Sequence, residues 1–81
     1  MWILNQNKKV MLNTNNAISI EYTYDVICKK EYAVTYCNGS KEADNFVIMG
    51  IYPSKERCLE IIQDIIKNMH LKNPTYEMPE K

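Results

Sequence analysis

Phe46-Val47-Ile48-Met49-Gly50-Ile51-Tyr52-Pro53-Ser54-Lys55-Glu56-Arg57-Cys58 decides the fold, because it holds a strand, a stop and a helix start in succession. Residues 46–52 form an apolar run of strand length. Pro53 cannot continue a helix backwards. Ser54 offers a side-chain oxygen to the N–H groups that a first helical turn leaves without partners. Glu56 places negative charge where the helix macrodipole favours it. Cys58, Ile61, Ile62, Ile65, Ile66 and Met69 then recur at helical spacing, with Leu59 widening the stripe. The spacing predicts one amphipathic helix of roughly 16 residues, about 24 Å long.

Upstream, the pattern changes from helical to alternating. Ile18, Ile20, Tyr22 and Tyr24 alternate with Ser19, Glu21 and Thr23, which predicts a strand with one apolar face. Trp2-Ile3-Leu4 and residues 9–13 flank Asn5-Gln6-Asn7-Lys8, an opening hairpin in which asparagine tolerates turn angles. Within residues 25–31, Val26-Ile27-Cys28 either extend the strand or bulge from it, and Lys29-Lys30-Glu31 reads as an exposed turn. Residues 32–36 form a further strand that ends at Cys37-Asn38-Gly39-Ser40, where Asn-Gly signals a turn. Residues 41–45 lengthen that loop. The fold class that follows is α+β, an antiparallel meander of about five strands with the C-terminal helix packed on one face. Residues 1–71 make one sheet-plus-helix domain. Residues 72–81, which contain Pro74 and Pro79, read as an extended or loosely held tail. The face away from the helix is expected to carry Glu21, Thr23, Ala33, Thr35, Met49 and Ile51, a mixed surface suited to a partner.

Composition narrows the function classes. A chain of 81 residues with 46% hydrophobic content can build one core without metal or disulfide. Ten basic and ten acidic residues give a formal net charge of zero. Residues 1–40 carry Lys8, Lys9, Lys29 and Lys30 against Glu21, Asp25 and Glu31, and the second half is equally mixed. Neither half steers a polyanion, so direct nucleic-acid binding is not expected, nor is acidic mimicry of DNA. No apolar run reaches membrane-spanning length. Three cysteines without a secretion signal point to free thiols in a cytoplasm.

Candidate chemistry is sparse. Cys28, Cys37, Cys58 and His70 are the residue types of a Cys3His zinc site. With residues 32–36 in a strand, however, Cys28 and Cys37 lie beyond its opposite ends, more than ~15 Å apart. Cys58 falls on the helix stripe, where a thiol behaves as a small hydrophobe. His70 follows Met69 near the helix C-terminus, where the dipole favours an imidazole. The reading is therefore no committed metal and no cofactor, with zinc held by fewer of these residues, or between molecules, as the alternative. One histidine cannot be assigned as base to any of the cysteines, so no catalytic residue is named and no enzyme is expected. Tyr22, Tyr24, Tyr32 and Tyr36 could stack bases, but Arg57 is the sole arginine and their alternation suits a core under the helix. Glu56, Glu60 and Asp64 line one helical face among Lys55, Arg57 and Lys67, as a solvated face does.

Met1-Trp2-Ile3-Leu4-Asn5-Gln6-Asn7-Lys8 and Gly50-Ile51-Tyr52-Pro53-Ser54-Lys55-Glu56-Arg57, leading into Cys58-Leu59-Glu60-Ile61-Ile62, resemble a family of small uncharacterised proteins of Gram-positive bacteria, their phages and mobile elements. That setting includes inhibitors of bacterial immunity, notably anti-CRISPR proteins that act on Cas9. The resemblance implies a non-enzymatic protein-binding inhibitor in the bacterial cytoplasm, with a Cas9-type effector as partner. With no net charge, contact with the effector fits better than mimicry of its DNA. Residues 25–31, residues 41–45 and the open sheet face are the expected contact regions. The alternative is a passive interaction or homodimeric assembly module, joined through an edge strand or the open face, with a zinc-stabilised form of either.

Overall fold

The structure is a computed structural model that describes residues 1–17, 19–24, 30–38 and 46–81. Strands β1 (Trp2–Leu4), β2 (Met11–Asn13), β3 (Ser19–Tyr24), β4 (Tyr32–Cys37) and β5 (Phe46–Tyr52) precede helix α1 (Lys55–His70) and strand β6 (Thr75–Glu77). The α+β class holds. The single five-strand meander does not: the strands form two three-stranded sheets, ordered β2-β1-β6 and β3-β4-β5. Strand β1 is the centre of the small sheet. It pairs antiparallel with β2 on one side and, on the other, with the parallel strand β6 that arrives after the helix, Trp2, Ile3 and Leu4 lying opposite Thr75, Tyr76 and Glu77.

Helix α1 starts where Ser54 directs, its hydroxyl oxygen accepting from the Arg57 N–H at 3.1 Å. It lies across β3, β4 and β5. Its buried stripe is narrower than the sequence pattern. Cys58, Ile61 and Ile65 are buried, whereas Leu59, Ile66 and Met69 are 43%, 42% and 41% exposed. The large sheet is too narrow to cover a wide stripe, so it takes one row of side chains and leaves the next outside.

The large sheet meets the helix through Val34, Tyr36, Met49 and Tyr52, with Ile20, Tyr22 and Tyr32 half-buried beside them. Tyr24 keeps the expected face, opposite Tyr32, but is left uncovered at its end. It is 48% exposed and tilts against Tyr32 with ring centroids 5.0 Å apart. The face expected to be open is also altered. Val34 pairs with Gly50 but Thr35 pairs with Ile48, so a bulge inserts Met49 between them. That extra residue breaks strict alternation, turning Met49 into the core while Ile51 stays exposed. Ala33 and Thr35, on the central strand, are buried as well.

The small sheet supplies the other core wall. Ile3, Leu12 and Tyr76 share one register row, and Ile3 and Tyr76 join the buried cluster. Beyond β6, Met78 is buried and its N–H donates to the Leu4 carbonyl at 3.0 Å. The extended segment after the helix is thus a paired strand with a core anchor. Among the described residues no helix is long and apolar enough to cross a membrane.

Candidate binding surface

Among the described residues, those singled out for metal or thiol chemistry form no group of three that could hold a metal. Cys28 lies outside the described residues. Cys37 is half-buried at the end of β4, and Cys58 is fully buried in the first turn of α1. Burial pushes the Cys58 thiol pKa up, which disfavours the thiolate that zinc binding or nucleophilic attack needs. His70 ends the same helix, exposed. At the rise of an α-helix it stands ~18 Å along the axis from Cys58, so these two cannot share one ion within a molecule. Among the described residues no three His, Cys, Asp or Glu side chains could hold a metal.

Two of the three helical carboxylates have structural partners. Asp64 accepts a hydrogen bond from the Tyr76 hydroxyl at 2.9 Å, and Glu60 lies 3.6 Å from Arg57. The buried tyrosine hydroxyls are similarly committed. Tyr36 donates to the Asn13 carbonyl and Tyr52 to the Pro79 carbonyl, each at 2.7 Å. These bonds tie the small sheet and the C-terminal segment to the large sheet. Lys55 stands 5.6 Å over the Tyr22 ring, a cation–π contact at the helix start.

The exposed apolar side chains are more informative. In the small sheet, Trp2 lies opposite Asn13 and Thr75, and Leu4 lies opposite Met11 and Glu77. Because strand side chains alternate, this row faces away from Ile3, Leu12 and Tyr76. Trp2 and Met11 are each 47% exposed and Leu4 is half-buried between them. Polar groups surround them. Lys8 reaches Glu77 at 3.4 Å and Glu80 at 3.3 Å, and these two carboxylates raise its pKa. An apolar centre containing a tryptophan, with a polar rim, is the anatomy of a protein-binding face.

The regions expected to make contacts are described only in part. Residues 25–29 and 41–45 lie outside the described residues, and the large sheet's outer face keeps Phe46 and Ile51 exposed beside buried Ala33 and Thr35. The small-sheet face was legible in principle. Trp2, Leu4 and Met11 fall on one side once Ile3 and Leu12 are placed inside. Compared with protein-family models, with curated proteins and with solved structures, the chain matches none.

Proposed function

We propose that this chain is a non-enzymatic binding domain whose working surface is the outer face of the small sheet, and whose partner is a protein. The carrying observation is Trp2, 47% exposed on a strand paired on both sides, beside Met11 and Leu4. A tryptophan held on a strand loses little rotamer freedom on binding and presents a large apolar area. The formal net charge of zero supports contact with protein rather than capture of nucleic acid.

The resemblance to small proteins of Gram-positive bacteria and their phages supplies the candidate partner. It is a Cas9-type effector in the bacterial cytoplasm, inhibited by surface contact and not by DNA mimicry. An effector presenting an apolar groove would bury Trp2 and meet the Lys8, Glu77 and Glu80 rim.

Trp2 is the one tryptophan in the chain, so its fluorescence reports on this face directly. Purified protein is mixed with a Cas9–guide complex, and emission, co-elution and target cleavage are measured. The expected result is a blue shift, a stable complex and suppressed cleavage, all lost in Trp2→Ser/Met11→Ser. Unchanged emission together with undiminished cleavage removes this effector as the partner. Inhibition that survives the double substitution removes the small-sheet face as the working surface.

A further inference from the structure

Helix α1 carries a second apolar row that its own fold covers only at Ile62. Cys58, Ile61 and Ile65 face the sheets and are buried. Beside them Leu59, Ile62, Ile66 and Met69 repeat at alternating steps of three and four, the spacing by which one helix packs along another. Leu59, Ile66 and Met69 are each more than 40% exposed, and Ile62 is half-buried. A groove of about 240 Å³ runs along this row between α1 and β3, lined by Ala17, Ile20, Ile62, Ile65, Ile66 and Met69 among others.

The row is its own complement. When a second copy is laid antiparallel about a two-fold axis facing the midpoint between Ile62 and Ile66, Ile62 comes level with the partner's Ile66. Leu59 comes level with the partner's Met69. The same operation suits the charges. Glu56 and Glu60 lie beside Lys55 and Arg57 in the N-terminal half of the helix, whereas Lys67, His70 and Lys72 occupy or follow its C-terminal half, so the antiparallel arrangement keeps the two basic ends apart. Glu56 is then level with the partner's Lys72, and Glu60 lies within one residue's rise of the partner's Lys67. A parallel pairing would set Glu56 and Glu60 against their own copies and align the two macrodipoles unfavourably.

We propose that this chain self-associates through an antiparallel pairing of α1 with α1 of a second copy. The isologous seam is Leu59, Ile62, Ile66 and Met69. The joint is on the helix, not on the edge strand or open sheet face where a homodimer was expected. The contact is small beside the ~800 Å² per partner of a standard interface, so the dimer is weak and concentration-dependent. The seam lies on the helix and the Trp2 face lies on the small sheet, so the two associations are separable. Inhibition by a purely monomeric protein, or dimerisation without inhibition, tells which reading has failed.

Sedimentation equilibrium across roughly 10 µM to 1 mM spans the dissociation constants that such a contact supports. The expected result is a weight-average mass rising from one chain towards two. Ile66→Glu, on an exposed position, is expected to keep its circular dichroism spectrum and remain at the mass of one chain. Leu59→Glu and Met69→Lys supply the test of direction, because position 59 faces position 69 only in the antiparallel pair. Each alone is expected to dimerise at least ten-fold more weakly than the parent, and an equimolar mixture more tightly than either. A mass fixed at one chain up to ~1 mM, or an Ile66→Glu variant that dimerises like the parent, overturns the seam. A mixture no tighter than its components overturns the antiparallel arrangement.

Discussion

Gln6 pairs with Ile51 as though it were a residue of a fourth strand in the large sheet. Its side-chain Nε2 donates to the Ile51 carbonyl at 3.0 Å, and its Oε1 accepts from the Ile51 N–H at 2.9 Å. Just before this contact, the Gln6 main-chain N–H donates to the Met49 carbonyl at 2.9 Å. The side-chain Nε2 that bonds Ile51 also donates to the Glu80 carbonyl at 2.9 Å. One turn residue of the small sheet therefore caps the edge of β5 and gathers the C-terminal segment against it.

Replacing Gln6 by Ala removes the amide while leaving the turn backbone. Water can reach these groups, so the cost is the net value of the bonds, about 1–2 kcal/mol. At ~4–8 °C per kcal/mol for a domain of this size, a clear fall in Tm is expected in thermal denaturation. Gln6→Glu keeps the acceptor and loses the donor unless protonated. Its folded pKa is therefore expected to lie above the unfolded value, so its stability approaches the parent's below the ordinary glutamate range and falls as pH rises through the folded value. Equal Tm for Gln6→Ala and the parent would leave the amide without a role.

Gly50 is required by the Tyr52 ring. A Cβ built at Gly50 would stand 2.5 Å from the Tyr52 Oη, 2.6 Å from its Cε2 and 2.8 Å from its Cζ. The ring cannot swing aside cheaply, because Tyr52 is buried and its hydroxyl is held by the Pro79 carbonyl. Gly50→Ala is expected to cost about 1–3 kcal/mol through overpacking. In a Tyr52→Leu background the same substitution should cost markedly less, because the clashing atoms are gone. Denaturant midpoints of the four proteins give this coupling directly, and purely additive costs would refute the close approach.

These two contacts also mark where sequence reading stops. The helix was legible because its signals are local: Ser54 caps it, and Cys58, Ile61 and Ile65 fall at the right spacing. The opening hairpin was legible for the same reason, with Leu4 opposite Met11. The parallel pairing of β1 with β6 joins opposite ends of the chain and has no local signature, and Pro74 and Pro79 disguise the strand between them. The bulge at Met49 was hidden because alternation is an average property, and one inserted residue exchanges the faces. Of the candidate surface, the spare apolar row on the helix was visible as a wide stripe. Only the burial pattern separates the half that folds the protein from the half left outside.

Lys72 terminates the helix in a backbone conformation better suited to glycine. Its φ is 58°, its N–H donates to Met69 and the next N–H, of Asn73, donates to Asn68. This is the Schellman pattern, in which the left-handed residue is usually glycine because a Cβ is penalised there. Lys72→Gly is expected to stabilise the protein by about 1 kcal/mol when measured on dilute, monomeric samples. Lys8 also has positive φ, 62°, but its amine pairs with Glu77 and Glu80. Lys8→Gly should therefore gain less. A Tm for Lys72→Gly at or below the parent's would contradict the strain assigned to this position.

The buried tyrosines set the response to alkali. Burial raises the Tyr52 pKa to about 12, slightly opposed by the Arg57 charge, while burial and the hydrogen bond to Asp64 raise that of Tyr76. An unfolded tyrosine ionises near ~10. Below that pH both states hold the proton, and the tyrosines contribute no pH dependence. Between ~10 and 12 the unfolded chain releases protons that the folded chain retains, so stability falls with rising pH. Tm is expected to decline gently from pH ~8.5, where the unfolded Cys58 thiol ionises and the buried one does not, and to drop more steeply through the two units above pH ~10. Tyr52→Phe should start lower, by about 1 kcal/mol for the lost Pro79 bond, and then descend less steeply. An alkaline slope as steep in Tyr52→Phe as in the parent would show that this hydroxyl is not held protonated by its burial.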